Sequence, residues 1–264
     1  MYIHPVNLKK HIPNTITLGN LFCGCLAIVK AFEGDLVWAA YLVGIALVLD
    51  FFDGFTARML KVSSAIGKDL DSLADMVTFG VVPGIVMFQM IFMNLPIGDQ
   101  IQFTDMPNDI GGKPVFYETQ FEYLKYVAFI ITIFSCIRLA KFNNDTRQSD
   151  SFIGLPTPAN TMVICSLPLI IAFQPNLVFI SGIIENPWFL CVLSLVMSLL
   201  LIAEIPLFAL KFKNFSWASN KLVYLFLLAS VVMILTLHFL AIPLVIILYI
   251  LLSIVNNIFL KDKV

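Results

Sequence analysis

Long apolar stretches alternate with short polar segments along almost the whole of this sequence. A helix that crosses a lipid bilayer needs about 20 consecutive, mostly apolar residues. Eight stretches come close to that length or exceed it: roughly residues 15–33, 36–60, 67–94, 120–143, 157–174, 187–206, 218–237 and 240–259. The pattern therefore predicts an all-α integral membrane protein with about eight transmembrane helices.

The composition of the chain also fits a membrane protein. Of the 264 residues, 59% are hydrophobic and 12% are charged, whereas soluble domains are about half apolar and about a quarter charged. The net charge of −1 argues against a nucleic-acid partner, because nucleic-acid-binding domains carry a clear basic excess. The five cysteines are scattered in apolar runs without a CxxC pair, which predicts neither a disulfide nor a thiolate metal site.

Lysine and arginine residues near the helix ends predict the orientation in the membrane. With the N-terminus inside, the outer side keeps only Lys30, Lys113 and Lys125. The inner segments hold the other 13 of the 16 basic residues: Lys9, Lys10, Arg58, Lys61, Lys68, Arg138, Lys141, Arg147, Lys211, Lys213, Lys221, Lys261 and Lys263. We therefore expect a multi-pass protein of the cell (inner, cytoplasmic) membrane, with both termini and the turn at 58–68 facing the cytoplasm.

Four aspartates mark the second and third predicted helices. Asp50 and Asp53 are three positions apart, and Asp71 and Asp75 are four positions apart. Each pair therefore occupies one face of its helix. A short polar turn joins the two helices, so they are predicted to be antiparallel neighbours, and the four carboxylates are predicted to meet near their cytoplasmic ends.

Such a cluster is costly inside a membrane. Insertion of one Asp at a helix centre costs about 2.5–3.5 kcal/mol, and less near the ends; four carboxylates would also repel one another. A divalent cation removes both penalties, and carboxylate oxygens favour Mg²⁺, Mn²⁺ or Ca²⁺ over zinc. Four carboxylates are enough to bridge two ions, an arrangement suited to in-line attack on phosphorus. The alternative is that Asp50 or Asp53 is merely solvated at a helix end, as Asp69 is expected to be.

The stretch from residue 50 to residue 75 resembles the signature of the CDP-alcohol phosphatidyltransferases. The fixed positions of that signature are all matched, by Asp50, Asp53, Gly54, Ala57, Arg58, Gly67, Asp71 and Asp75. The resemblance implies a six-helix core, to which this chain would add two C-terminal helices. It also implies the reaction, in which a hydroxyl attacks the β-phosphorus of a CDP-linked lipid and CMP leaves.

The same resemblance implies roles for these residues. The four aspartates would bind the divalent metal, two ions of Mg²⁺ or Mn²⁺, and Asp75 would also be the catalytic base. The nucleotide site would consist of Gly54, Ala57, Arg58 and Gly67. For Gly67 the alternative is a structural role at the start of a helix. Homodimerisation is a further implication.

Two other segments resemble the phosphatidylserine synthase branch of that family. One is HIPNTITLGNLFCG, in which Pro13, Asn14, Thr17, Asn20 and Gly24 match. The second, residues 136–160, contains RLAKFN and FIGLPTPA, with Lys141 where the branch has arginine. The substrate residues implied for the lipid phosphate or for serine are Arg138, Lys141, Asn14, Thr17 and Asn20. For Asn14, Thr15 and Thr17 the alternative is to cap the first helix. Arg147 is interpreted as one of the basic residues of the inner segments and not as a substrate residue.

These observations predict a single membrane domain over 1–264, with an interfacial arm at 1–14, a catalytic portion at 15–174 and C-terminal helices at 187–259. The favoured substrates are CDP-diacylglycerol and L-serine, in a lipid bilayer. The nearest rival is the same chemistry with inositol phosphate or glycerol phosphate as acceptor. A metal-ion transporter is the rival from another class, because intramembrane carboxylates also mark ion paths.

Overall fold

The architecture was analysed in a computed structural model that describes residues 11–62, 64–96, 121–144, 152–208 and 217–259. The α-helices are α1 (His11–Phe32), α2 (Leu36–Leu60), α3 (Ala65–Asp75), α4 (Val82–Met93), α5 (Phe129–Asn144), α6 (Thr157–Phe173), α7 (Val178–Ile184), α8 (Pro187–Ile202), α9 (Trp217–Leu237) and α10 (Ala241–Phe259). This confirms the all-α membrane class. The part of the predicted interfacial arm before His11 and the predicted inner-side residue Arg147 lie outside the described residues.

Shorter elements connect these helices. A π-helix, Met76–Val81, lies between α3 and α4, and 3₁₀-helices cover Glu122–Ala128 and His238–Leu240. Two strands of two residues each, β1 (Phe152–Ile153) and β2 (Pro206–Leu207), pair in antiparallel fashion. The apolar pattern predicted neither the strands nor α7, because segments this short carry too few positions to show a period.

The eight predicted stretches all correspond to helices, but the number of membrane crossings stays a prediction. Five described helical stretches are long and apolar enough to cross, or six if the α7–α8 pair, bent by 71°, is one broken span. α6 has only 17 residues. α9 and α10 run antiparallel, since the rings of Phe226 and Tyr249 lie 5.5 Å apart on opposite sides of the His238–Leu240 turn.

The continuous helical stretch Ala65–Met93 is the most enclosed of the candidate spans. Its most apolar part is 67% buried, against 28% for α1 and 6% for the α9–α10 hairpin. Alanines bring α1 and α2 into the same core, where Ala27, Ala31 and Ala39 are fully buried. Small residues are typical of close helix packing in membranes, where lipid removes the hydrophobic drive for helix association. The third predicted helix therefore forms the centre of the bundle.

The π-helix interrupts this central helix directly after Asp75. Its wider turn frees backbone carbonyls, and hydroxyls from neighbouring helices bind them: Thr161 of α6 donates to Phe79 O at 2.9 Å, and Thr132 of α5 donates to Gly80 O at 3.0 Å. On the α1 side, Thr78 donates to the carbonyl of Asn20 at 3.3 Å. Single π turns occur frequently at functional sites, and this one is held from three directions.

Close contact between α1 and the π-helix generates the first prediction. A Cβ added at Gly24 would overlap Thr78 Oγ1 and lie 3.2 Å from Thr78 Cα, whereas a Cβ at Gly44 would meet nothing within 4 Å. Both glycines lie inside helices, so alanine gains the same helix propensity, up to about 1 kcal/mol, at either site. Gly24→Ala should lower the melting temperature in detergent, because overpacking costs about 1–3 kcal/mol. Gly44→Ala is the control; equal melting temperatures for the two variants would contradict this packing.

Candidate active site

Carboxylates from α2 and α3 converge where the two helices meet. Oxygens of Asp50, Asp53 and Asp71 all lie within 4.8 Å of one another. The side chain of Asp75 lies next to that of Asp50, and the two carboxyl groups interact. The sequence spacing predicted this meeting of the four side chains, and the structure brings them together; their roles remain predictions.

A short turn sets the two helices against each other. Lys61 ends α2 in the left-handed conformation, with φ 52°, and the Ser64 hydroxyl caps α3 by accepting from Gly67 N at 3.0 Å. A Cβ at Gly67 would lie 2.9 Å from Ser64 Oγ and 3.1 Å from Asn14 Oδ1. Gly67 is thus both a helix-start residue and a point of close approach between α3 and α1.

Polar residues of α1 contact the carboxylates directly. The Thr17 hydroxyl donates to Asp53 Oδ2 at 2.6 Å, and the Asn20 amide donates to Asp75 Oδ1 at 3.4 Å. Thr17 and Asn20 are both buried. These bonds hold one carboxylate of each pair in a set orientation, in the way that second-shell groups orient metal ligands.

The alternative prediction, that Asn14, Thr15 or Thr17 caps the first helix, is wrong. Helix α1 already includes His11, so Asn14, Thr15 and Thr17 lie inside it, and Thr15 donates back to His11 O at 2.9 Å. Proline is tolerated in a first helical turn, where its missing N–H would have no partner. Pro13 therefore does not delay the start of the helix until the Asn and Thr residues that follow it.

A cavity of about 260 Å³ opens beside the cluster. Its volume is near the lower end of the range for small-molecule sites. Among the described residues its lining is Pro13, Asn14, Thr17, Asp53, Gly54, Ala57, Val62, Ser64, Gly67, Lys68 and Asp71. Three of the four residues that the resemblance assigned to the nucleotide, Gly54, Ala57 and Gly67, line this cavity. The fourth, Arg58, is exposed, and its Nη1 would lie 3.6 Å from a Cβ at Gly54.

Lys68 is a cavity residue that sequence reasoning missed. Its ammonium donates to Asn143 O at 3.3 Å, and Asn143 Nδ2 donates to Ser72 Oγ at 2.8 Å. These bonds tie the end of α5 to α3 at the edge of the cavity. The sequence signal for a site role was the position of Lys68, next to Gly67 and three residues before Asp71. That signal was weak, because a lysine on the inner side is also expected from the charge bias alone.

The predicted substrate residues of α5 differ in their surroundings. Arg138 is buried, with its guanidinium carbon 5.3 Å from the centre of the Phe142 ring. Ser135, one turn earlier, packs against the π-helix, since its Cβ would lie 3.2 Å from a Cβ at Gly80. Lys141 is exposed and is not among the cavity-lining residues. The structure therefore gives Arg138, rather than Lys141, an enclosed position near the central helix.

Buried polar atoms near the π-helix add residues that no motif indicated. Within the described ranges, Asn20 Oδ1, Ser135 Oγ and both amide atoms of Asn160 are buried without a hydrogen-bond partner. An unpaired buried polar group costs about 1–3 kcal/mol. Ser135 and Asn160 stand in apolar stretches of the sequence, where a single polar residue gives only a weak signal.

The donor set fits a divalent cation. Oxygen ligands of one Mg²⁺ lie up to about 4.2 Å apart, since each is about 2.1 Å from the ion, and Ca²⁺ allows more. The 4.8 Å limit around Asp50, Asp53 and Asp71 requires only small side-chain movements to reach that geometry. Three hard oxygen donors match Mg²⁺ or Mn²⁺.

Comparison with known proteins adds the family. The sequence model of the CDP-alcohol phosphatidyltransferase family matches residues 10–256. The chain belongs to that family. The match includes α9 and most of α10, well beyond residue 160, where the motif resemblance ends.

Three relatives of this CDP-alcohol phosphatidyltransferase share one name. The CDP-diacylglycerol–serine O-phosphatidyltransferase of Bacillus subtilis is 33% identical over 171 residues, 65% of this chain and 81% of the relative. The enzyme of that name from Helicobacter pylori is 33% identical over 162 residues, 61% of this chain and 58% of the relative. That from Mycobacterium leprae is 30% identical over 210 residues, 76% of this chain and 59% of the relative. The alignments thus span under two thirds of the last two relatives.

The bond from Thr17 to Asp53 generates the second prediction. Thr17→Val removes the hydroxyl but keeps the shape, so Asp53 loses a partner that holds its carboxylate. We expect the affinity for Mn²⁺, measured by electron paramagnetic resonance, to fall by about 10–100-fold, the usual effect of removing a second-shell partner. Thr15→Val is the matched control, because Thr15 is exposed and, among the described residues, its hydroxyl bonds only to its own helix. Equal affinities in the two variants would rule out this orienting role.

Proposed function

We propose that this protein transfers the phosphatidyl group of CDP-diacylglycerol to the hydroxyl of L-serine, which gives phosphatidylserine and CMP. The observation that carries the proposal is the carboxylate cluster beside a cavity that Gly54, Ala57 and Gly67 line. The names of the Bacillus, Helicobacter and Mycobacterium relatives support serine as the acceptor.

In this proposal Asp50, Asp53, Asp71 and Asp75 hold divalent metal, Mg²⁺ or Mn²⁺. A bound divalent ion neutralises diphosphate charge, which makes phosphorus more electrophilic and CMP a better leaving group. Thr17 and Asn20 keep the carboxylates of Asp53 and Asp75 oriented. The cavity between α1, α2 and α3 takes the cytidine, because Gly54 and Gly67 leave room for it next to the cluster.

Asp75 is the proposed base. Its Oδ1 accepts from Asn20, which orients the carboxylate that would take the proton of the serine hydroxyl. In the overall reaction the serine oxygen bonds to the β-phosphorus, the bond from that phosphorus to CMP breaks, and the hydroxyl proton passes to Asp75. An alkyl hydroxyl is a poor nucleophile, and general-base assistance contributes about 10²–10⁴-fold.

Arg138 is the proposed partner of the serine carboxylate or of the lipid phosphate. A buried guanidinium is well suited to a planar carboxylate or a phosphate, which it binds through two parallel bonds. Its burial on α5, one turn from Ser135 and the π-helix, favours Arg138 over the exposed Lys141 for this role. The basic bias of the inner segments supports an active site on the cytoplasmic side of the cell membrane, and the homodimer stays a prediction.

The acceptor assignment gives the third prediction. Purified protein in detergent, supplied with CDP-diacylglycerol and Mn²⁺ or Mg²⁺, should release CMP when L-serine is added and form a serine-containing lipid. Removal of the metal with a chelator should abolish release, and Mn²⁺ should restore it. Release only with inositol phosphate or glycerol phosphate would overturn serine as acceptor but keep the chemistry. No release with any alcohol, together with Mn²⁺ uptake into vesicles, would indicate a transporter.

The proposed base gives the fourth prediction. Asp75→Asn removes the proton acceptor, so kcat should fall by at least about 10²-fold, the contribution of a general base, while part of the Mn²⁺ binding persists. Asp69→Asn is the control, since Asp69 is an exposed carboxylate of the same helix. CMP release by Asp75→Asn at the rate of the control would exclude Asp75 as the base.

A further inference from the structure

Three side chains of α10 bind the segment that contains β2. Asn257 Nδ2 donates to Pro206 O at 2.6 Å, and the Tyr249 hydroxyl donates to Phe208 O at 2.8 Å. Between them, Ser253 Oγ accepts from Phe208 N at 3.4 Å. Tyr249, Ser253 and Asn257 follow one another at intervals of four, so they occupy one face of the helix.

These side chains take the place of a third strand. Carbonyls of successive residues point to opposite edges of a strand. Those of Pro206 and Phe208 meet α10, while Ile205 O accepts from Gly154 N at 3.0 Å on the other edge. On that edge β2 pairs with β1. α10 therefore covers an edge whose backbone groups would otherwise lack partners inside the membrane protein.

The β1 end of this assembly is fixed where α6 begins. Leu155 N donates to Leu200 O of α8 at 2.9 Å. Gly154 has φ +78°, and a Cβ there would lie 2.8 Å from the carbonyl oxygens of Leu201 and Ala203. Glycine is thus needed for the turn over the end of α8, and Thr157 starts α6 three residues later.

The start of α6 in turn holds the π-helix next to the site. Thr161, four residues into α6, donates to Phe79 O at 2.9 Å. Phe79 lies in the π-helix that begins directly after Asp75. A continuous series of hydrogen bonds and chain connections therefore runs from α10 through β2, β1 and α6 to the backbone that carries the proposed base.

We propose that Tyr249, Ser253 and Asn257 are positioning residues for the transfer reaction. They hold β2, and through β1 they fix the start of α6 and the π-helix that follows Asp75. The inference rests on the proposed function. It gives the C-terminal hairpin a role in catalysis although none of its described residues lines the cavity beside the carboxylates.

Packing alone does not hold the hairpin in place. Only 6% of the most apolar part of 220–258 is buried, so few side chains of that part are enclosed by the rest of the described chain. Its outer turn has a second polar tie: Gln174 at the end of α6 donates to Leu237 O and accepts from Leu240 N, both at 3.0 Å. The hairpin is therefore bonded to α6 at the turn and to β2 near its C-terminal end.

The test compares the double variant Tyr249→Phe/Asn257→Leu with two controls in full-length protein. Ser230→Ala removes a buried hydroxyl that, within the part of the chain the structure describes, bonds only to Phe226 O of its own helix. Asn256→Leu removes the amide next to Asn257. The double variant should lose about 10-fold or more in kcat, since misplacement by about 1 Å costs up to about 10²-fold. Its KM for CDP-diacylglycerol and its CMP affinity should stay within about twofold, because α1, α2 and α3 form that cavity.

The single variants Asn257→Gln and Asn257→Leu are also compared. Asn257→Gln keeps a donor amide, so it should recover most of the activity that Asn257→Leu loses. A kcat within about twofold of the controls overturns the inference. Loss of CMP affinity and of melting temperature in parallel with kcat also overturns it, because that result indicates general destabilisation and not positioning.

Hydrogen exchange separates this inference from the proposed function. The amides of Gly154 and Leu155 should exchange faster in the double variant than in either control, and unchanged exchange overturns the inference. If the wild type uses another alcohol, the kinetic comparison is made with that alcohol. If it releases no CMP at all, the proposed function fails, and so does the positioning role.

Discussion

Asp50, Asp53, Asp71 and Asp75 bring four carboxylates together near the ends of two membrane helices, where even one costs up to about 2.5–3.5 kcal/mol. Their mutual contact sets the requirements for the surrounding structure. α3 has to begin directly after α2, with Ser64 as its cap, so that the two pairs face each other. Polar groups such as Thr17 and Asn20 then have to contact the carboxylates, since apolar neighbours would only increase the cost of burial.

Helix α1 brings polar side chains to the carboxylates by packing closely against α2 and the π-helix. Fully buried alanines on α1 and α2 let the two backbones approach, and Gly24 lets α1 approach the π-helix. At that distance the side chains of Thr17 and Asn20 reach Asp53 and Asp75. The π-helix adds a wide turn just beyond Asp75. Hydroxyls of Thr132 and Thr161 on two neighbouring helices bind its carbonyls, and its own Thr78 hydroxyl binds a carbonyl of α1. Small residues thus permit the contact, and hydroxyls and amides then make it specific.

Local patterns predicted a large part of this arrangement. The apolar run at 36–60 coincides with α2 at both ends, and the three- and four-residue spacings of the aspartates placed them on facing helix surfaces. Contacts distant in sequence were beyond such reasoning: Thr17 and Asp53 are 36 residues apart. A π turn changes the hydrogen-bond register without a change in hydrophobicity, so the period could not reveal it. The first predicted stretch begins at residue 15, whereas α1 already includes His11. The prediction was late because Asn14 and Thr15 resemble caps, although Pro13 fits inside a helical first turn.

The C-terminal hairpin shows how a membrane changes the way helices are held. Lipid solvates apolar side chains as well as a protein core does, so burial gives little reason for α9 and α10 to stay against α6. Hydrogen bonds therefore have to hold the hairpin in place. They lie at the turn between α9 and α10 and where α10 meets the β2 segment. These bonds satisfy backbone groups of Pro206, Phe208 and Leu240. The need to satisfy those groups and the need to hold the hairpin are therefore met by the same few side chains, which is why polar residues recur on one face of a helix that is otherwise apolar.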